Sequence, residues 1–438
     1  MTRERRRSRL PLLLVVAIFI AASCSDSEEG SVGNGSDEGG RTLVIANVQP
    51  FSGTNAAYGP EQHAGCISAV NIINEAGGVL GNDLSCLEVD TRSNPTDAVP
   101  AVQQMLATEE NLVGVVGPSS DEAAATIPLL NEAGIPYWPD TGDPRYNQQE
   151  SDTYWRLAIS DDLIGLALAL WADESGYESV AIFAGNDEGS QPVLPSLRSA
   201  LGVLGIDLVA DESVALGQSS YRSEANTVAQ ASPDAIIIPT TDPQTVSTFL
   251  GELFELYEPI PIIGQVPPLQ PRFSKAIKGA IGGDAAYDEL YDSVHQYSPP
   301  DQPARAAYQE TLMASGDEID DPGQWAEDPY SMAVYDAVMI MSFAMLSADS
   351  TDPEEFNSHI LGVTEAGSGK TAVQTWEEGK AAFEAGEEIQ YVGALGEIAF
   401  SEYHNVGGQF IVTRAAGDQE EELGLITGDQ ITEIQNQI

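Results

Sequence analysis

From residue 42 onward, short apolar runs alternate with amphipathic ones, and this alternation constrains the fold more than any other feature. Thr42 to Val48 predicts a strand, and Glu61 to Ala76 a helix closed by Gly77-Gly78. Leu84 to Val89 is the next strand, Asp97 to Thr108 a helix, Leu112 to Val116 a buried strand, Asp121 to Ala133 a helix, and Ile135 to Trp138 a short strand. The pattern then restarts. Helices are expected over Leu163–Glu174, Pro192–Leu204, Tyr221–Ala231 and Gln244–Tyr257, with strands at Ser179–Ala184, Asp207–Ala210 and Ala235–Pro239. Strand–helix alternation of this kind makes parallel sheets with helices on both faces.

A body of about 400 residues is too long for one core. The expected fold class is α/β, with two Rossmann-like lobes joined by a hinge near Arg156 to Asp161. After Asp284 the pattern changes. Pro299-Pro300 opens a polar loop, Pro303–Met313 and Pro329–Leu346 read as helices, and Trp376 to Gly386 leads to a strand pair ending in Phe410–Thr413. The expected division is 42–160 plus 285–408 for the N-terminal lobe and 161–284 plus 409–438 for the C-terminal lobe.

The segment before the body indicates where it works. Arg3, Arg5, Arg6, Arg7 and Arg9 form a basic head, and an apolar run from Leu10 to Ala22 leads into Ser23-Cys24. The run is short for a membrane span and suits the core of an export signal. Ala21-Ala22-Ser23-Cys24 resembles a bacterial lipobox, with residues 1–23 as signal and Cys24 as the lipidated residue; an ordinary secretory signal cut nearby is the alternative. Residues 24–41 are nearly all Ser, Gly, Asp, Glu and Asn and form an expected flexible tether. The expected location is therefore outside the cytoplasm, lipid-anchored on the outer face of the bacterial cell membrane. No second apolar stretch of spanning length is expected.

The formal net charge is −50, from 68 Asp and Glu against 18 Lys and Arg. Such a surface repels nucleic acid and anionic lipid, so neither is an expected partner. The 42% hydrophobic content argues for a real core rather than disorder. With Cys24 set aside, Cys66 on a helix and Cys86 on the following strand remain. Outside the cytoplasm they are expected to form a disulfide, the alternative being two buried thiols.

Enzyme chemistry finds little support. His63, His295, His359 and His404 lie far apart in sequence, none beside an evident nucleophile. Gly367-Ser-Gly-Lys-Thr371 lacks the first glycine and the preceding strand of a phosphate loop. In so acidic a chain, paired carboxylates carry no weight. No cofactor and no metal site is expected.

In open α/β sheets, ligands sit beyond the carboxyl ends of the strands. The loops there are Phe51-Ser-Gly-Thr-Asn-Ala-Ala-Tyr-Gly59, Gly117-Pro-Ser-Ser-Asp121 and Asp140-Thr-Gly-Asp-Pro144. Ser119 and Ser120 open a helix. They either bind an anion there or simply cap the helix.

Several runs also carry a resemblance: Pro50-Phe-Ser-Gly53 with Tyr58-Gly59, Ile73-Asn-Glu-Ala-Gly-Gly-Val-Leu-Gly81, Val115-Val-Gly-Pro-Ser-Ser120, Glu132-Ala-Gly-Ile-Pro136, and Gly386 to Gly396 with Tyr391-Val-Gly393. Their order and spacing resemble the branched-chain amino-acid family of extracytoplasmic solute-binding proteins. The resemblance implies the type I periplasmic binding protein fold, a Venus flytrap, acting as a monomer that passes a small-molecule solute to an ABC transporter permease. It places Ser120 and Ser119 at the ligand's carboxylate with Thr141 and Asp143 beside them, Tyr58 and Tyr330 as aromatic walls, and Thr241 and Asp242 on the facing lobe.

Two positions depart from the family. Its aromatic residue in the loop after the second lobe's first strand falls at Gly189, and its ammonium-pairing acid falls near Gln265-Val266. A buried ammonium without a carboxylate is costly. Either Asp242, Asp143 or Asp187 replaces that acid, or the ligand lacks an ammonium, as an amide or small carboxylate does. Two functions fit: solute capture for an ABC permease, or ligand sensing by a lipoprotein that signals to a membrane partner. Cys24→Ala is expected to release the protein from membranes without altering its fold, read by membrane fractionation; unchanged association would rule the anchor out.

Overall fold

The computed structural model describes residues 40–297 and 302–438. The export signal, Cys24, residues 24–39 of the tether and Pro299-Pro300 lie outside the described residues.

The first part runs β1 (Thr42–Gln49), α1 (Tyr58–Glu75), β2 (Asp83–Asp90), α2 (Pro95–Thr108), β3 (Leu112–Ser119), α3 (Ser120–Ala133) and β4 (Tyr137–Asp140). These strands form a parallel sheet in the order β2-β1-β3-β4. Alternation along β1 sends Leu43 and Ile45 to one face, against Ile67 and Val70 of α1. Ala46 and Val48 point to the other, against Val102 and Met105 of α2 and Ile127 of α3.

The chain then crosses to α4 (Asp161–Glu174), β5 (Ser179–Gly185), α5 (Leu194–Leu204), β6 (Asp207–Val214), α6 (Arg222–Ala231) and β7 (Ala235–Ile238). It continues through α7 (Pro243–Leu256), β8 (Ile262–Gly264), α8 (Pro271–Ile281), α9 (Asp284–Leu290) and β9 (Tyr291–Gln296). After α10 (Pro303–Ala314) and α11 (Pro329–Ala348) come α12 (Pro353–Asn357), α13 (Ile360–Thr364), β10 (Thr371–Val373), α14 (Trp376–Glu384), β11 (Ile389–Gly393) and β12 (Gly396–Glu397). The chain ends in β13 (Phe410–Ala416), β14 (Gln419–Ile426) and α15 (Gly428–Gln435).

The second sheet has seven strands in the order β14-β13-β9-β8-β7-β5-β6, parallel from β6 to β9 and antiparallel through β13 and β14. Val180 and Ile182 of β5 face Leu166 of α4 and Leu197 of α5, while Ala181 and Phe183 face Val246 and Phe249 of α7.

The sequence expectations fail at three places after residue 257. Tyr291–Gln296, assigned to the first lobe by the boundary at 285, is a central strand of the second sheet. Its composition, Tyr-Asp-Ser-Val-His-Gln, has too few apolar residues to read as a buried strand. The expected strand pair is split, because β11 joins a three-stranded sheet with β10 and β12 whereas β13 joins the seven-stranded one. Finally, α11 is itself long and apolar enough to cross a membrane, yet it is packed inside the fold.

Two glycines show how α11 is held. A Cβ on Gly65 of α1 would meet the Ser331 carbonyl oxygen at 2.0 Å, so only glycine allows this helix crossing. In the middle of α11, Asp336 is fully buried and accepts hydrogen bonds from the Tyr391 hydroxyl (2.8 Å) and the amides of Ala394 (2.8 Å) and Leu395 (3.0 Å). A Cβ on Gly393 would collide with that carboxylate at 2.4 Å. The Tyr391-Val-Gly393 run is therefore a cradle for one buried acid. Burial still raises the Asp336 carboxyl, to about 6.

Cys66 of α1 and Cys86 of β2 are joined in a disulfide, with Cα atoms 6.2 Å apart. It closes a loop spanning a sequence separation of 20. Replacing both cysteines by alanine is expected to lower stability by about 2–4 kcal/mol in denaturant unfolding, with reduction of the wild type giving a similar loss. Equal midpoints for oxidised and reduced protein would contradict this.

Candidate functional site

Strand ends from both sheets converge on one cavity of about 180 Å³. From the first sheet it is reached by Tyr58 and Glu61 at the start of α1, by Ser119, Ser120 and Asp121 after β3, and by Asp140 and Gly142 after β4. From the second come Asp161 and Ile164 at the start of α4, Asp187 and Gly189 after β5, Leu216 after β6, Thr241 after β7 and Gln265 after β8. Pro329, Tyr330 and Ala333 enter from α11. Leu157–Ile159, Val294–Gln296 and Phe410, which lie where the chain passes between the sheets, form the floor.

Five of the eight expected ligand residues, Tyr58, Ser119, Ser120, Thr241 and Tyr330, line this cavity. Tyr58 and Tyr330 keep 40% and 43% of their surface accessible, which is unusual for tyrosines so surrounded by protein. Burial raises both phenols, so each remains a protonated hydroxyl. The Ser120 hydroxyl donates to Thr141 Oγ1 at 3.1 Å, which places Thr141 one step behind the wall. Ser119 turns its hydroxyl onto Glu122 of its own helix, and Thr91 donates to the same carboxylate at 3.1 Å. Ser119 thus spends its donor on Glu122, and Ser120 spends its own on Thr141, while both serines line the cavity.

The two expected aspartates are elsewhere. Asp143 is ion-paired with Arg145 (2.5 Å) in a shallow outer depression, and Arg145 reaches on to Glu188 (3.1 Å) on the loop after β5. Asp242 caps α7 through the Thr245 amide at 3.5 Å. Neither lines the cavity. Gly189 and Gln265, the two positions that depart from the family pattern, both do.

The acids that do line it are Glu61, Asp121, Asp140, Asp161 and Asp187. Glu61 is hydrogen-bonded to Asp328, which also accepts the Tyr330 and Ser331 amides at 3.0 and 2.9 Å. Burial, with the Asp328 charge, drives the Glu61 carboxyl up, so Glu61 carries the proton and donates it to Asp328. Asp140 accepts from the Gln62 amide, yet burial and Asp328 raise it to about 7. Asp161 is pushed well up by burial, against the opposing influence of Arg156. Burial likewise raises Asp187, while the Ser190 hydroxyl and the Gly189 and Ser190 amides hold one of its oxygens. His295 is driven down to about 4 by burial and Arg305, so it is neutral. Among the described residues, no Lys or Arg lines the cavity.

Sequence reading missed Glu61, Asp140 and Asp161 because 68 acids give a strong background. Position carried the available signal. Each stands in the first turn of a helix or at a strand's carboxyl end, and Asp161 opens the helix directly after the crossing between sheets.

The profile of the periplasmic binding protein family matches residues 42–419. The chain belongs to that family. Membership implies a place outside the cytoplasm, and the similar proteins found are substrate-binding proteins, not enzymes.

An amino acid binding protein of Pseudomonas aeruginosa is 26% identical over 186 residues, 41% of this chain and 49% of that protein. The Leu/Ile/Val-binding protein homolog 1 of Brucella abortus is 23% identical over 311 residues, 70% of this chain and 78% of its own. The matched region spans about half the length of the two Pseudomonas aeruginosa relatives. Among solved structures, the branched-chain amino acid transporter substrate-binding protein LivJ of Streptococcus pneumoniae, in complex with isoleucine, superposes with a TM-score of 0.68 at 18% identity. That match covers 88% of this chain and 99% of the other. A solute-binding protein of R. palustris in complex with benzoate gives 0.68 at 18% identity, over 88% and 96% of the two chains. At such identity the likeness establishes the fold alone.

Asp140 generates a pH prediction. Its carboxyl moves from an ordinary 3.8 to about 7, so folding takes up a proton between these values and stability falls as pH rises through that window. Asp140→Asn removes this penalty. Its melting temperature is expected to exceed that of wild type by more at pH 8 than at pH 5, and an equal difference at both would show that Asp140 titrates normally.

Proposed function

We propose that this protein is an extracytoplasmic solute-binding protein that captures a small polar solute in the cavity between its two sheets and delivers it to an ABC permease. The supporting observation is the composition of that cavity. Every wall comes from a strand's carboxyl end or a helix start, from both sheets, and the floor is built from the connecting segments. An arrangement of this kind lets two halves close on a solute by bending at their connections. Lipid at Cys24 anchors the protein to the outer face of the membrane, and it acts as a monomer.

Within this reading, Ser120, backed by Thr141 and by the amide groups that open α3, receives a polar or anionic head group. Tyr58 and Tyr330 cover the solute, and Thr241 meets it from the second sheet. The solute is an amino acid, an amide or a small carboxylate, in keeping with the isoleucine and benzoate held by the similar structures.

A thermal-shift screen of such compounds identifies the solute, because a specific ligand raises stability by mass action. Ser120→Ala is then expected to weaken its binding by about tenfold or more in calorimetry. Tyr58→Ala weakens it as well, through lost contact area. Wild-type affinity in both variants would show that the solute binds elsewhere.

A further inference from the structure

The cavity holds an electrostatic imbalance that the reading above leaves unused. Asp161, a residue of the cavity lining, is 8% exposed, and its Oδ2 has no hydrogen-bond partner in the protein. The nearby cation is Arg156, but its guanidinium donates elsewhere: to the carbonyls of Thr141 (3.4 Å) and Asp143 (3.1 Å) and to Asn147 Oδ1 (2.5 Å). Asp187 repeats the pattern on the next loop. Oδ1 accepts the Gly189 and Ser190 amides at 3.0 Å each, and Oδ2 is buried without a partner.

Burying a carboxylate oxygen without a partner is costly, so each of these acids gains from a donor brought to its second oxygen. The other acids at the cavity have protein partners: Glu61 with Asp328, Asp140 with Gln62, Asp121 with Asn55. Asp161 and Asp187 stand on the second sheet's side, where Gln265 occupies the position of the family's ammonium-pairing acid. That side therefore carries two acids on other loops in place of one.

We propose that the solute is an organic cation, a small molecule whose ammonium or guanidinium group is held by Asp161 and Asp187 and whose positive charge exceeds any carboxylate it carries. This deepens the solute-binding reading and rests on it. Two unpartnered carboxylate oxygens on adjacent loops suit a nitrogen with several N–H donors. Leu157, Ile159, Ile164 and Leu216 supply an apolar wall for a short carbon body. A cavity of about 180 Å³ is somewhat larger than the roughly 150 Å³ that holds benzene.

Matched pairs of probes test the sign of the charge. Benzylamine is compared with benzoate, and L-lysine with L-norleucine, on the full-length chain in detergent by thermal shift and calorimetry. The cationic member of each pair is expected to bind about tenfold or more tightly. Asp161→Asn is expected to abolish that preference while leaving the apo melting temperature equal or higher; Asp187→Asn serves the same purpose if that variant does not fold.

Preference for benzoate or L-norleucine would overturn the cationic assignment while supporting solute binding. A preference for cations that survives both substitutions would overturn the role of Asp161 and Asp187. Binding of none of the four probes would count against the cationic assignment, and the broader screen of amino acids, amides and acids would then decide whether solute binding itself stands.

Discussion

One buried guanidinium organises the passage between the two sheets. Arg156 is 1% exposed and sits in the segment that leaves β4 for α4. Its side chain fastens the loop after β4 through the carbonyls of Thr141 and Asp143 and through Asn147. Its backbone fastens a second crossing, the N–H donating to the His404 carbonyl at 2.9 Å and the carbonyl accepting from the Val406 amide at 3.2 Å. Tyr297 donates to the Gln409 carbonyl at 2.9 Å, tying the third passage to the same strip. The connections thus behave as one hydrogen-bonded ribbon, and the cavity floor inherits its geometry.

With that floor in place, the acids divide by the work they do. Asp328 caps α11 and accepts a hydrogen bond from protonated Glu61, Asp242 caps α7, Asp143 holds Arg145, and Asp336 secures the β11–β12 turn. Each of these carboxylates spends its lone pairs on protein donors. Asp161 and Asp187 each retain an oxygen without a protein donor, and both residues line the same cavity. In a chain of 68 acids, location alone does not mark a binding group; unspent hydrogen-bonding capacity at a cavity does.

Much of this was legible in the sequence. The β1-to-β7 alternation emerged because strands such as Ala235–Ile238 are unbroken apolar runs and helices such as α7 announce themselves with Asp242-Pro243. Ser120, Tyr58, Thr241 and Tyr330 were placed at the cavity by loop position and family likeness. What escaped was short or polar. β8 has three residues, and β9 is buried despite Asp292, Ser293 and His295 because its neighbours on both sides cover it. Asp143 and Asp242 lie off the cavity lining for a physical reason. An aspartate just before a proline-led turn serves equally as a ligand or a cap, and here both are held by local amides. Asp161 was invisible because its distinction is a missing partner, which only packing reveals.

The seven-stranded sheet ends in β6 on one side and β14 on the other. Both outer strands carry acids on exposed positions: Asp207 and Asp211 on the first, Glu420, Glu421 and Glu422 on the second. An unpaired strand edge is a template onto which another chain can zip. Here any second copy approaching either edge meets like charge along the line where backbone hydrogen bonds would form. The acidity of the chain thus acts as a guard against strand-to-strand polymerisation, allowing many copies to crowd together without fusing their sheets.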